Sequence, residues 1–250
     1  MTTNDKFIKL KATLAIFMYI FYESITNYIV KLLHIDIDAL SKSMKVVYVA
    51  SGEVLCLLFI IFLYRKQIVN GLKEIKKKLE EYAFFGGKVW LIGAFAMSVS
   101  TYIIGGILNK PISDNETAVR TLIQMYPAYM LFSTFIFAPI VEELVARKAI
   151  RDLIKNDKIF LIVSGLSFGV LHVVFTAKVP LDLLYAIPYS AMGVAFAYML
   201  LKKKNIALPI TVHMLHNAAL VLVQIIGGLV WVNQKKKIET IKIYFYSYLL

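Results

Sequence analysis

The chain is a succession of apolar runs whose lengths approach the thickness of a bilayer. A helix needs about 20 predominantly apolar residues to cross the hydrocarbon core, and only helices and closed barrels satisfy every backbone polar group there. Seven such runs lie between short polar stretches, at about 12–33, 46–64, 89–108, 123–146, 159–176, 183–200 and 206–232. The pattern predicts an all-α polytopic membrane protein with about seven transmembrane helices, within a range of six to eight.

Composition agrees with this class and limits the number of domains. Hydrophobic residues make up 59% of the 250 residues, more than soluble domains usually contain. No polar stretch is long enough to form a soluble domain, so we expect a single membrane domain over residues 1–250. The one cysteine, Cys56, excludes an internal disulfide and a cysteine-rich metal site.

The net charge of +12 is spread over short basic clusters between the apolar runs. In a membrane protein such clusters set the topology and attract anionic lipids, so we expect anionic lipids and no nucleic acid as partners. With the N-terminus inside, the inner loops hold nearly twice as many basic residues as the outer stretches. The positive-inside rule therefore predicts a cytoplasmic N-terminus. Lysines at 235–237 and 242 leave the side of the C-terminus open.

Heavy use of lysine and isoleucine favours an AT-rich bacterial genome, hence a bacterial cell membrane.

The fourth apolar run ends in an unusual group of charges, Glu142, Glu143 and Arg147. Charges so close to hydrocarbon are costly and are rarely present without a use. On a helix, Glu143 and Arg147 are four residues apart and can form an ion pair, whereas Glu142 lies about 100° round the helix and is free to face another group. Pro139 removes a helix hydrogen bond just before the pair. Two interpretations follow: an interfacial charge cluster, or a held carboxylate beside a presented one that can act as a catalytic base.

Three of the four histidines lie within apolar runs that follow these glutamates, at His172, His213 and His216. His213 and Asn217 are four residues apart and project from one helix face, as do Phe168 and His172. A carboxylate can take a proton from water, and a neutral histidine can share that task or bind a metal. Histidine and asparagine N–H groups can donate to an oxyanion. This set of groups predicts hydrolysis of an amide bond without a serine or cysteine nucleophile.

Three short motifs stand in order in this part of the chain: Glu142-Glu143-x-x-x-Arg147, Phe168-x-x-x-His172 and His213-x-x-x-Asn217. Together they resemble the motif set of the CPBP family. This family includes the type II CAAX prenyl endopeptidases and bacterial relatives tied to bacteriocin processing and self-immunity. The resemblance covers about residues 126–222, which we take as the catalytic core. Lys148 stands where members commonly have glycine, and His216 adds an imidazole that the motifs do not demand.

The resemblance implies an intramembrane glutamate-dependent endopeptidase of the CAAX-protease type, often classed as a metalloprotease. It implies that Glu142 activates water with the help of His172. It further implies that His213 and Asn217 stabilise the oxyanion, while the Glu143–Arg147 pair gives structural support. Substrates would be peptides or protein tails at the membrane surface. The alternative is a non-catalytic protein, either a bacteriocin self-immunity factor or a membrane scaffold.

The proposed hydrolysis does not require a metal ion at these residues. Glu142, His172 and His213 can bind Zn²⁺ with an open fourth position, but the chain has no His-Glu-x-x-His helix. The same side chains can act without a metal, and we favour that mechanism, with Zn²⁺ as the alternative.

The depth of His172 places a condition on a shared site. His172 lies 13 residues into its apolar run, or ~20 Å at the helical rise of 1.5 Å per residue, whereas Glu142 is near the inner end of its own run. A convergent site therefore predicts that residues 157–162 lie largely outside the hydrocarbon.

Overall fold

The computed structural model describes residues 3–230, and within that range all regular structure is helical. We number eight helices: α1 Thr3–Leu32, α2 Lys42–Lys77, α3 Leu79–Leu108, α4 Asp114–Met125, α5 Pro127–Leu153, α6 Asp157–Val173, α7 Pro180–Lys203 and α8 Ala207–Val230. Six of them, all except α4 and α6, are long and apolar enough to cross a membrane. The predicted polytopic helical membrane protein is confirmed.

The helix boundaries differ from the predicted ones mainly where a proline or a charged stretch intervenes. The fourth run was expected to begin at residue 123, but α4 ends at Met125 and α5 begins at Pro127. Proline disfavours a helical conformation in the residue before it, and Tyr126 accordingly adopts φ −139° and ψ 61°. The α6 helix, with 17 residues, lies at the lower limit of the length that spans hydrocarbon.

Part of the predicted topology concerns the end of the chain. The last predicted span, 206–232, corresponds to α8 as far as residue 230. Residues 231–232 and the tail lysines at 235–237 and 242 lie outside the described residues. The cytoplasmic N-terminus and the side of the C-terminus therefore stay predictions from loop charge.

The largest group of buried apolar side chains surrounds the second half of α5. Helices α1, α2, α6 and α8 each contribute to it, through Ala12, Ile60, Phe160 and Ile210, which belong to the same buried cluster as Leu144. An apolar enclosure on this scale excludes water from the Glu143 side of the α5 turn that carries the paired glutamates. The glutamate motif therefore lies at the centre of the helical bundle.

Small residues bring α6 and α7 into close contact. A Cβ atom added to Gly169 on α6 would lie 2.0 Å from Ser190 Oγ and 2.3 Å from the Ala186 carbonyl oxygen, both on α7. Small residues at such contacts allow the backbones of membrane helices to approach closely. Gly169 lies one turn before His172, so this contact also determines where the imidazole lies.

Replacing Gly169 by alanine is expected to destabilise the protein by about 1–3 kcal/mol, because the added methyl group overfills the α6–α7 contact. Gly87→Ala on α3 is the matched control, since a Cβ there meets nothing within 4 Å. That control should be neutral or up to ~1 kcal/mol more stable, since alanine is the better helix former. Thermal unfolding of both variants in one detergent measures the difference, and equal midpoints would contradict the assignment of a tight contact.

Candidate active site

The predicted catalytic side chains lie together in one cavity of about 290 Å³. Glu142 from α5, His172 from α6 and both His213 and Asn217 from α8 form part of its wall. His216, which the three motifs do not include, lines the same cavity. The helix-to-helix convergence that the spacings suggested is therefore present in the structure.

The paired glutamates have different environments. The Glu143 side chain is fully buried, whereas the Glu142 side chain is 17% exposed and lines the cavity. Glu142 Oε2 lies 4.0 Å from His213 Nε2. The Glu143 carboxylate is thus held inside the bundle, and the Glu142 carboxylate faces the cavity. This agrees with the offset of about 100° between neighbouring positions on a helix.

Glu143 is held from two sides. Its Oε2 lies 3.1 Å from Arg147 Nε within the same helix, which is the ion pair expected from the spacing of four residues. Its Oε1 accepts a hydrogen bond of 3.0 Å from His213 Nδ1 on α8. A carboxylate that pairs with a guanidinium is a hydrogen-bond acceptor, so this contact assigns the proton to His213 Nδ1. Glu143 therefore fixes the orientation and tautomer of His213, a function that the spacing of the motif did not reveal.

Arg147 is fully buried among aromatic rings. Its guanidinium carbon lies 4.3 Å from the centroid of the Phe168 ring and 5.6 Å from that of Phe196. Within residues 3–230, none of its three guanidinium nitrogens has a hydrogen-bond partner. Its charge is therefore balanced by Glu143 and by the faces of two aromatic rings.

His172 is fixed by its own helix and by two rings. Its Nδ1 donates to the Phe168 carbonyl oxygen at 2.8 Å, because a carbonyl oxygen can only accept. Its ring stacks on Tyr189, with centroids 4.7 Å apart, and contacts Phe168 at 4.2 Å. In the neutral ring, Nε2 is therefore the atom with a free lone pair.

Asn217 is held by an irregular turn of α5. Residues Ser133–Phe137 are π-helical, and the Ala138 N–H donates to the Ser133 carbonyl, five residues back. The next donor in this pattern would be Pro139, which has no N–H. The Thr134 carbonyl that it leaves free accepts a 2.8 Å hydrogen bond from Asn217 Nδ2. Pro139, expected to disturb the helix, thus provides the acceptor that orients the asparagine.

The zinc alternative does not fit this arrangement. Among the described residues, no three His, Cys, Asp or Glu side chains are placed to hold a metal ion together. Glu142, His172 and His213 share the cavity wall without forming a ligand cluster. We therefore derive no step through a metal.

Sequence reasoning missed several residues that shape the site. Trp90 on α3 donates to His216, and Tyr189 on α7 stacks on His172. Neither belongs to a motif, and an isolated aromatic residue in an apolar run gives no signal of its own.

The condition that residues 157–162 lie outside the hydrocarbon stays a prediction. Asp157, at the start of this stretch, pairs with Arg151 at 2.7 Å.

Comparison with known proteins matches the same part of the chain. Residues 124–219 match the family model described as type II CAAX prenyl endopeptidase Rce1-like. No solved structure matches the chain.

Three bacterial proteins are similar to it. The putative membrane peptidase YdiL of Bacillus subtilis (strain 168) is 27% identical over 146 residues, which cover 55% of this chain and 56% of YdiL. The membrane-embedded CAAX protease MroQ of Staphylococcus aureus (strain USA300) is 31% identical over 165 residues, 62% of each chain. The UPF0177 protein YaiH of Lactococcus lactis subsp. lactis (strain IL1403) is 33% identical over 133 residues, 52% of this chain and 53% of YaiH.

The chain thus spans between about half and three fifths of the length of these relatives. The matched part contains all three motifs and every predicted catalytic residue. The predicted resemblance to the CPBP family is confirmed, and residues 124–219 carry the sequence pattern of the Rce1-like type II CAAX prenyl endopeptidases.

Proposed function

We propose that this protein is an intramembrane endopeptidase that hydrolyses peptide bonds of membrane-associated peptides or protein tails, with Glu142 as the base. The observation that carries the proposal is the presented Glu142 carboxylate in a cavity that also holds His172 and His213. In both histidines Nδ1 donates a hydrogen bond, to the Phe168 carbonyl in His172 and to Glu143 in His213. The similarity to a membrane peptidase and a CAAX protease supports the same class of reaction.

In the first step, Glu142 removes a proton from a water molecule while the water oxygen attacks the scissile carbonyl carbon. His172 Nε2 accepts a hydrogen bond from the other proton of that water, which holds its lone pair towards the carbonyl. The carbonyl π bond becomes an oxyanion as the C–O bond forms. Collapse of the tetrahedral intermediate breaks the C–N bond, and protonated Glu142 returns its proton to the leaving amine.

Asn217 and His213 stabilise the oxyanion. One Asn217 amide proton is used by the Thr134 carbonyl, which leaves the second for the substrate. His213 donates through Nε2 only as the imidazolium, since Nδ1–H already points to Glu143. Glu143 and Arg147 act through His213 and are positioning residues.

A chelator is expected to leave the cleavage rate unchanged, because every step uses only side chains and water. The check is the initial rate of product formation before and after prolonged incubation with the chelator. A loss of activity that added Zn²⁺ restores would contradict the metal-free mechanism.

The setting of the reaction follows from topology and charge. The cavity extends from Glu142 towards α4 and the start of α5, where Glu116 and Ser133 line it. With the N-terminus in the cytoplasm of a bacterial cell, α5 ends at the cytoplasmic surface. The basic inner loops favour anionic lipids or acidic peptide segments there. Nucleic acid is not a partner in this proposal.

The test is cleavage of a cell-derived membrane-peptide mixture by the purified protein in lipid vesicles, with new termini mapped by mass spectrometry. Wild type is compared with Glu142→Gln and with Glu80→Gln, which removes an exposed carboxylate from α3. New termini with wild type and Glu80→Gln, but not with Glu142→Gln, are the expected result. An identical peptide pattern with and without wild-type protein would overturn the proposal. A non-catalytic self-immunity or scaffold role would then be the better account.

A further inference from the structure

We propose that His216 is a further catalytic residue, the neutral N–H donor to the oxyanion, and that Trp90 is the positioning residue that fixes its tautomer. The proposal rests on the endopeptidase function and adds to its site. It also gives a role to α3, which carries none of the three motifs.

The hydrogen bond between Trp90 and His216 has a single direction. The indole nitrogen of tryptophan is a donor and cannot accept. Trp90 Nε1 lies 3.2 Å from His216 Nδ1, so Nδ1 is the acceptor and carries the lone pair. The proton of the neutral imidazole is therefore on Nε2. The two rings meet edge to face, with centroids 6.3 Å apart, and this geometry keeps the indole N–H directed at the imidazole edge.

The other two histidines of the cavity have the opposite tautomer. His172 Nδ1 faces the Phe168 carbonyl and His213 Nδ1 faces Glu143, and both partners are acceptors. Their neutral rings therefore present a lone pair at Nε2, which can accept a proton from water but cannot stabilise an oxyanion. Of these three histidines, His216 alone presents an N–H while uncharged.

The position of His216 agrees with this role. It lies next to Asn217 in the sequence and one helical turn from His213, and all three line the cavity. An oxyanion bound there can receive one N–H from Asn217 and one from His216 before any histidine is protonated. The two neutral donors can thus form an oxyanion site whose competence does not depend on the charge of His213.

The tautomer can be measured without any assay of activity. The chain has four histidines, so the ¹⁵N spectrum of the full-length protein labelled with ¹⁵N-histidine in lipid nanodiscs is simple, and His216→Gln assigns the His216 signals. We expect wild-type His216 as the Nε2–H tautomer. In Trp90→Phe, which lacks the indole donor, we expect a mixture of tautomers. An Nδ1–H tautomer in wild type, or an unchanged His216 spectrum in Trp90→Phe, would overturn the positioning role of Trp90.

Kinetics test the catalytic role. Loss of one oxyanion donor usually lowers kcat by about 10²–10³-fold, so His216→Leu should lower kcat by roughly 10²-fold with little change in KM. His216→Gln, whose amide nitrogen can lie near the position of Nε2, should recover part of that loss. Trp90→Phe should have a smaller effect on kcat than His216→Leu. His34→Gln, in the exposed loop after α1, is the control that removes a histidine outside the cavity.

The outcomes separate this proposal from the one on which it rests. If folded wild type produces no cleavage, the endopeptidase function fails, and the catalytic role of His216 fails with it. If wild type cleaves, Glu142→Gln does not, and folded His216→Leu retains the wild-type kcat, then only the role of His216 is overturned. A loss in His216→Leu that His216→Gln does not relieve at all would identify a packing role, which also overturns the proposal.

Discussion

Replacing Glu142 by glutamine is expected to lower kcat by roughly 10²- to 10⁴-fold, the usual contribution of a general base, and to leave KM nearly unchanged. Glutamine has the shape of glutamate but cannot take a proton from water at neutral pH. The Glu142 side chain is 17% exposed at the cavity wall, so the exchange alters the reacting group and disturbs little packing. Loss of kcat with an intact fold is therefore the signature of the base.

The measurement is the initial rate of cleavage of one peptide from the mixture, made over a range of substrate concentrations. Glu80→Gln removes a carboxylate from an exposed position on α3 and should match wild type. Equal thermal unfolding midpoints for the three proteins establish that each is folded. A Glu142→Gln variant that retains more than about a tenth of the wild-type kcat would rule out a general base at this position.

Breaking the Glu143–Arg147 pair is expected to have the largest effect on stability. Both side chains are fully buried, with Arg147 Nε 3.1 Å from Glu143 Oε2. Removing one partner of a buried ion pair leaves the other charge uncompensated and typically costs 3–5 kcal/mol. Glu143→Gln and Arg147→Met should each lower the free energy of unfolding by about that amount.

The double variant Glu143→Gln/Arg147→Met separates stability from function. With both charges gone, no buried charge is left unpaired, so the double variant should be more stable than either single one. Its activity should still be low, because an amide at position 143 can donate as well as accept and no longer fixes the His213 proton on Nδ1. Unfolding in a detergent series gives the three free energies. A double variant no more stable than the singles would show that the charges do not compensate each other.

The helical membrane class and the local motif geometry were predictable from the sequence. Apolar runs of bilayer length predict membrane helices because the backbone has no other way to satisfy its polar groups in hydrocarbon. The Glu143–Arg147 pair and the contact between Phe168 and His172 follow from a spacing of four residues, since the helical pitch brings such residues onto one face. The separation of Glu142 from Glu143 follows from the same geometry.

The partners of the site residues on other helices could not be predicted in this way. Glu143 and His213 are 70 residues apart in sequence, Thr134 and Asn217 are 83 apart, and Trp90 and His216 are 126 apart. Helical periodicity relates positions within one segment, whereas these contacts depend on how separate helices approach and rotate in the bundle. The boundary at Pro127 was also misplaced, because apolar residues on both sides of Tyr126 continue the hydropathy pattern across the break.

The apolar runs of the sequence predict the membrane helices, and its three motifs predict the side chains for hydrolysis. The packing of the helices against one another settles which nitrogen of His213 and of His216 carries the proton. The physical reason is that an imidazole takes its tautomer from its hydrogen-bond partner. For His213 and His216 that partner lies on another helix, Glu143 on α5 and Trp90 on α3.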